Sequence, residues 1–169
     1  KAMKGDKTLA SELEMLEKVL AALADGKCAR TVDLDADELE LLSDTPLLTI
    51  KPTIYIANVS EDEAGIEPTE NPMYMSLKAH AEAEGSEVIA VCAQIEAEIA
   101  ELDAEEKSAF LADMGIAESG LDRLIKASYS LLGLISDLTA GPKEVRAWTI
   151  TRGTKAPQAA GKIHSDFER

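Results

Sequence analysis

Two short apolar runs decide the fold of this chain: Thr53-Ile54-Tyr55-Ile56-Ala57 and Glu87-Val88-Ile89-Ala90-Val91-Cys92. Both are rich in β-branched residues and bounded by turn residues, a pattern typical of buried parallel strands, whose two faces are both apolar. Between them, Asn71-Pro72 opens a helix that we expect to run to about Glu84 and to stop at the following glycine. Strand, polar loop, helix and strand make a βαβ unit, whose right-handed crossover sets the two strands parallel in one sheet.

The loops that follow the two strands are the first candidates for a binding site, because open parallel sheets bind ligands at the carboxyl ends of their strands. These loops are Asn58–Glu61 and Cys92–Ile95, and we expect them at the same edge of the sheet. Spacing alone favours a plain polar surface loop, since N-x-x-E is a very weak pattern. By itself, Cys92 is best interpreted as a small buried apolar residue at a strand end.

Upstream of the first strand, leucines recur at spacings of 4, 3, 4 and 3, at Leu9, Leu13, Leu16, Leu20 and Leu23. This a/d stripe predicts a helix that forms one arm of an antiparallel coiled-coil hairpin, with Lys1-Ala2-Met3-Lys4 as the stub of the other arm. An ordinary amphipathic helix on a globular core is an equally good interpretation. A second, short helix is predicted from Asp35, its N-cap, to Ser43.

The rest of the chain changes in character near Gly133, where helices give way to strands. Before that glycine we predict three helices, Glu96–Leu102, Ala104–Met114 and Leu121–Leu132. After it we predict two strands, Leu134–Ala140 and Glu144–Thr151, and a last short helix opened by Thr154-Lys155-Ala156-Pro157. Asp103 and Ser119 are the expected N-caps of the second and third helices. The two strands and the final helix predict the start of a small α+β domain.

Composition narrows the possible functions. Among 169 residues, 17 Lys and Arg stand against 32 Asp and Glu, for a net charge of −15, which argues against broad binding to nucleic acid or an anionic membrane. The two cysteines are isolated, the histidines His80 and His164 lack ligand spacing, and no metal site is predicted. No signal peptide or membrane span is visible, so a cytoplasmic location is expected. The C-terminal end looks like a cut.

Five ordered runs extend across nearly the whole chain: Lys51–Val59, Ile99–Leu102, Gly120–Ile125, Thr139–Ile150 and Ile163–Arg169. Together these runs resemble the YchF-type, or Obg-like, ATPases of the P-loop GTPase class.

The resemblance implies a mixed α/β and α+β fold made of parts of three modules. Residues 1–45 would be the second half of the helical hairpin with a connecting helix, and 46–132 the C-terminal part of the nucleotide-binding domain, which contributes to the P-loop NTPase parallel sheet. Residues 133–169 would be the N-terminal part of a ubiquitin-like β-grasp (TGS) domain. The chain departs from the family pattern because it has no G-x-x-x-x-G-K-[ST] motif and no Walker B aspartate. The phosphate cradle and the Mg²⁺ ligands are therefore outside it, and we expect the chain alone to be inactive.

The same resemblance assigns a role to the two loops. Asn58-Val59-Ser60-Glu61 matches the base-specificity loop, where GTPases have Asn-Lys-x-Asp, and Cys92-Ala93 matches a segment whose backbone contacts the base. An Asp at the fourth position accepts two hydrogen bonds from guanine, and the longer Glu61 spoils that fit. Because a buried unpaired acceptor costs roughly 1–3 kcal/mol, the change is large enough to alter base preference. The resemblance thus implies binding and hydrolysis of ATP, preferred over GTP, with Mg²⁺, in the intact parent.

A local group of basic residues surrounds Trp148 in the TGS-like segment: Lys143, Arg146, Arg152, Lys155 and Lys162. The first four are the candidate contacts to RNA or the ribosome that the resemblance implies. A competing hypothesis is a non-enzymatic RNA- or protein-binding module that uses the coiled-coil arm and the TGS segment.

Overall fold

The computed structural model describes residues 7–142 and 144–168. Its helices and strands, in chain order, are α1 (Lys7–Ala24), α2 (Ala36–Leu42), β1 (Ile54–Asn58), α3 (Pro72–Ala83), β2 (Glu87–Val91), α4 (Ala93–Ile99), α5 (Ala104–Asp113), α6 (Gly120–Leu131), β3 (Leu134–Ala140), β4 (Val145–Thr151) and α7 (Ala156–Ile163). The fold is mixed α/β, as the sequence predicted. No helix in these ranges is both long enough and apolar enough to cross a membrane.

The chain divides into two compact units. The first comprises residues up to Thr53 together with Lys78–Glu87, and the second comprises Ile54–Leu77 together with the residues from Val88 onward. The second unit therefore includes residues on both sides of Gly133. The three-module division at residues 45/46 and 132/133 stays a prediction.

In the first unit, α1 is a helix as predicted, but its buried face includes only part of the leucine stripe. Met15 is 0% exposed and Val19 is 3% exposed, and they form a core with Ala29 and Leu42. Three residues of the stripe are exposed instead, namely Leu9, Leu13 and Leu20. Helix α1 therefore packs on this small core as an amphipathic helix, with Leu16 and Leu23 of the stripe against the core, and the hairpin arm stays a prediction. Lys1–Lys4, the proposed stub of a second arm, lies outside the described residues.

Helix α2 begins where the sequence predicted. Its N-cap Asp35 accepts a hydrogen bond from the Glu38 amide, and the Glu38 side chain accepts one from the Asp35 amide, which completes a capping box.

The predicted order of strand, helix and strand is present, with one correction. Strand β2 is buried on both faces, since Ile89 and Ala90 are adjacent and each is at most 4% exposed. Strand β1 is not, because Ile56 is 48% exposed. Among the described strands β1 pairs with β2 alone, so nothing described continues the sheet beyond it.

Helices α4 and α5 pack the core beside β2. Ile95, Ile99 and Leu111 join Tyr74 and Ala90 in one buried cluster. The predicted N-caps are confirmed: Asp103 accepts from two amides of α5, and Ser119 accepts from Asp122. The Ser119 hydroxyl in turn donates to Asp122 over 2.6 Å. That bond, followed by the nearby Lys107 ammonium, holds the pKa of Asp122 below its usual value.

A carboxylate fixes the start of α6 in a way that the sequence did not reveal. Glu96 accepts from the Gly120 amide at 2.6 Å and from the Leu121 amide at 3.2 Å. These amides are among the four that a helix N-terminus leaves without an internal partner. Gly120 itself lies so close to β2 that an added Cβ would come within 2.8 Å of Val91 Cγ1. The glycine lets α6 approach the strand.

The C-terminal part is an antiparallel hairpin followed by α7, as predicted. β3 and β4 pair from Leu134 opposite Thr151 to Ala140 opposite Val145. Helix α6 contacts β3, and α7 contacts β4.

We predict that Gly120→Ala destabilises the chain by about 1–3 kcal/mol, the usual cost of an overpacked core. The greater helix propensity of Ala opposes this by at most about 1 kcal/mol. Urea unfolding followed by circular dichroism measures the difference. Gly141→Ala is the matched control, because its added Cβ would have its nearest neighbour at an ordinary 3.7 Å. Equal unfolding midpoints for the two variants would contradict the close approach.

Candidate functional site

The two loops that follow β1 and β2 meet at one edge of the sheet. The Val59 amide donates to the Val91 carbonyl at 2.9 Å. The Ala93 amide donates to Asn58 Oδ1 at 3.1 Å. Since the carboxyl end of each strand is bonded to a residue that follows the other strand, the strands run parallel, and both loops lie at the carboxyl edge as expected.

The second of these loops is shorter than the sequence predicted. Helix α4 begins at Ala93, three residues before the predicted start at Glu96, so Gln94 and Ile95 belong to its first turn. Cys92 occupies the N-cap position and makes no side-chain cap hydrogen bond. The Asn58 carboxamide takes over that role for the Ala93 amide. A cap supplied by a residue so distant in sequence leaves no local signal, which is why the boundary was misplaced.

The predicted site residues differ sharply in exposure. The side chains of Val59 and Cys92 are buried, and both belong to the hydrophobic cluster under the loop. Asn58, Glu61 and Ala93 are exposed. The valine side chain therefore anchors the loop to the core and is not available to a ligand.

Glu61 opens a short 3₁₀ turn, Glu61–Glu63, directly beyond the buried Val59. The exposed Glu61 carboxylate thus follows closely after Asn58 and Val59, the residues that are hydrogen-bonded to the start of α4 and to the end of β2. The Ala93 amide is already used by Asn58, while the exposed Glu61 carboxylate and the Asn58 Nδ2 donor are two polar groups on the first loop. A carboxylate accepts and an amide nitrogen donates, so this pair can recognise a ligand edge that carries both functions.

The predicted basic group is only partly gathered by the hairpin. Arg146 lies over the Trp148 ring at 4.1 Å from the ring centroid and also approaches Glu144. Arg152 stands six residues further along, about 20 Å away at the usual rise of a strand. Lys155 precedes α7, exposed, and Lys143 lies outside the described residues. Arg146 and Arg152 therefore do not form a single compact patch.

Metal-ligating side chains are dispersed. Within residues 7–142 and 144–168, no three His, Cys, Asp or Glu side chains are grouped in a way that could hold a metal ion. Cys28 and Cys92 are both free thiols.

Comparison with known proteins places the chain in a family. A curated protein of Bacillus subtilis named "Ribosome-binding ATPase YchF" is 52% identical over 168 residues, which are 99% of this chain and 46% of that protein. The chain belongs to the YchF family. A protein of the same name from Pasteurella multocida is 51% identical over 100% of this chain and 46% of its own length. The chain thus spans about half the length of these YchF relatives.

Structure and domain comparisons agree with this family. The structure entitled "Structure of the Schizosaccharomyces pombe YchF GTPase" superposes with a TM-score of 0.83 at 34% identity, covering 96% of this chain and 43% of that one. Residues 134–169 match the family YchF-GTPase_C, described as "Protein of unknown function (DUF933)".

We predict that Asn58→Ala speeds hydrogen exchange at the Ala93 amide by roughly 2- to 10-fold, the range that one net hydrogen bond represents. The exchange rate is measured by NMR on the chain itself. Asn58→Asp is the matched control, since it keeps an oxygen acceptor and should retain most of the protection. An Ala93 amide that exchanges equally fast in all three proteins would show that the carboxamide does not cap α4.

Proposed function

We propose that this chain is part of a cytoplasmic P-loop nucleoside triphosphatase, called the parent below, in which it supplies the loop that recognises the base of ATP. The observation that carries the proposal is the pairing of Asn58-x-x-Glu61 with the start of α4 through the Asn58–Ala93 hydrogen bond. The relatives named as ATPases and the YchF GTPase structure support the same reaction class.

Each proposed contact follows from the groups that the loop leaves available. With Oδ1 held by Ala93, the Asn58 carboxamide has its Nδ2 hydrogens to donate, and a purine N7 is an acceptor in adenine and guanine alike. The backbone at Val59, fixed by the bond to Val91 and by its buried side chain, gives the base a firm neighbour. These contacts hold a purine without choosing between the two bases.

We propose that Glu61 determines the preference between adenine and guanine. Guanine presents two adjacent donors, N1–H and the exocyclic amine, which an Asp carboxylate at this position matches with two hydrogen bonds. Glu61 extends one methylene further from the same backbone position, so the paired fit is lost and guanine is left with unmatched donors. Adenine, whose N1 carries no proton, does not need that pair of acceptors. ATP is therefore preferred.

The hydrolytic chemistry requires residues beyond these 169. No G-x-x-x-x-G-K-[ST] segment occurs in the sequence, so the phosphate cradle and the Mg²⁺ ligands must come from elsewhere in the parent. We propose that the chain by itself does not hydrolyse ATP.

We also propose that the segment from β3 to α7 contacts the ribosome or RNA. The relatives are named as ribosome-binding. On this chain the exposed Arg146, stacked on Trp148, offers a cation and an aromatic ring together, which suits nucleotide stacking. Arg152, Lys155 and Lys143 would add phosphate contacts. A purely non-enzymatic module is the competing proposal, and it would use the same segment together with α1.

The test of base recognition is Glu61→Asp in the parent, produced from its own gene or as a chimera in which this chain replaces the matching half of the Bacillus subtilis relative. The ratio of kcat/KM for ATP over GTP should fall by about fivefold or more, the equivalent of one restored hydrogen bond. Asp62→Glu is the matched control: it changes a neighbouring exposed carboxylate by one methylene and should leave the ratio unchanged. An unaltered ratio in Glu61→Asp would contradict this account, and a parent that binds neither nucleotide would favour the interaction module.

A further inference from the structure

The turn that contains Glu61 is tied to the start of helix α3 by a pair of side chains that no sequence motif marks. Asn71 Nδ2 donates to Glu63 Oε1 at 3.0 Å, with the second carboxylate oxygen at 3.4 Å. The Ser60 hydroxyl also donates to Glu63 Oε2, at 3.2 Å. The Glu63 carboxylate therefore connects the residue before the turn, Ser60, to the start of α3 at Asn71.

Asn71 is itself held in one orientation. Its Oδ1 accepts from the amides of Met73 and Tyr74, at 3.0 and 3.2 Å, as an N-terminal cap of α3. With the oxygen committed to those two donors, the Nδ2 group must point toward Glu63. Tyr74 is only 6% exposed and belongs to the hydrophobic cluster, so the helix end that carries Asn71 is fixed to the core.

The backbone at Glu61 is thus fixed on both sides. On the strand side, Asn58 and Val59 are bound to the end of β2 and to the start of α4. On the helix side, Glu63 is bound to Asn71. Between these two anchors, Glu61 has an exposed side chain on a turn of only three residues.

We propose that Glu63 and Asn71 are positioning residues for base selectivity: their hydrogen bond sets the reach of the Glu61 carboxylate. The inference rests on the proposed function, because it concerns how the same loop distinguishes adenine from guanine. Glu61 can distinguish the two bases through its one extra methylene only if its backbone shifts by less than the length which that methylene adds. If the hydrogen bond between Glu63 and Asn71 is lost, the turn can move away from the base and make room for guanine. The preference for ATP then weakens.

Asn71→Asp tests this hydrogen bond separately from the helix cap. The substituted carboxylate still caps the Met73 and Tyr74 amides, but it has no donor and meets the Glu63 carboxylate with like charge. In the parent, the ratio of dissociation constants for non-hydrolysable GTP and ATP analogues, measured by calorimetry with Mg²⁺, should move toward unity by about fivefold, the factor for one net hydrogen bond.

Rescue distinguishes positioning from a general loss of structure. In the double variant Asn71→Asp with Glu63→Gln, the introduced amide donates to the introduced carboxylate, which restores the bond with donor and acceptor exchanged. The selectivity ratio should return to within about twofold of the unsubstituted parent. Thr69→Asp, which adds the same charge at an exposed position of the same loop, is the control and should leave the ratio unaltered.

The outcomes separate this inference from the proposed function. If the unsubstituted parent prefers the ATP analogue but Asn71→Asp keeps that preference, the positioning role is wrong and the proposed function stands. The positioning role is also wrong if the double variant is not rescued. If the unsubstituted parent shows no preference for either analogue, the account of base recognition itself is overturned.

Discussion

The Asn58 carboxamide joins the two loops on which the candidate site depends. Its oxygen accepts from the Ala93 amide at the start of α4, while the neighbouring Val59 amide bonds to the end of β2. Helix α4 has seven residues and no side-chain cap of its own, and a helix of that length is unstable without external contacts. The carboxamide, worth roughly 1 kcal/mol as a cap, therefore defines where the helix begins and at the same time orients the loop that leads to Glu61.

The same helix connects the site to the rest of its unit. Ile95 and Ile99 bury one face of α4 in the core, and Glu96 reaches the first amides of α6. Gly120 allows that helix end to lie against Val91, the last residue of β2. The proposed base-binding edge of the sheet is thus bounded by backbone segments that hydrogen bonds hold in place. The side chains of Asn58 and Glu96 link these segments to one another. The proposed selection between bases by a single methylene requires a backbone that is held in this way.

Elements with local signals were predicted well, and contacts between distant residues were not. Asp35, Asp103 and Ser119 act as the N-caps that their sequence context indicated, and both pairs of strands were found within one residue. The beginning of α4 was missed because its cap comes from Asn58. The leucine stripe predicted the correct helix but only part of its buried face, which centres on Met15 and Val19, since periodicity cannot say which side meets a neighbour. The contacts from Asn71 to Glu63 and from Glu96 to Gly120 leave no sign in the sequence, because each depends on tertiary structure.

The most direct test of the central claim is a crystal structure of the parent with Mg²⁺ and a non-hydrolysable ATP analogue. The account predicts that the adenine ring lies at the carboxyl edge of β1 and β2, with Asn58 Nδ2 within hydrogen-bond distance of N7 and Glu61 beside the ring. Adenine bound away from residues 58–61, or an Asn58 side chain turned away from the base, would contradict it.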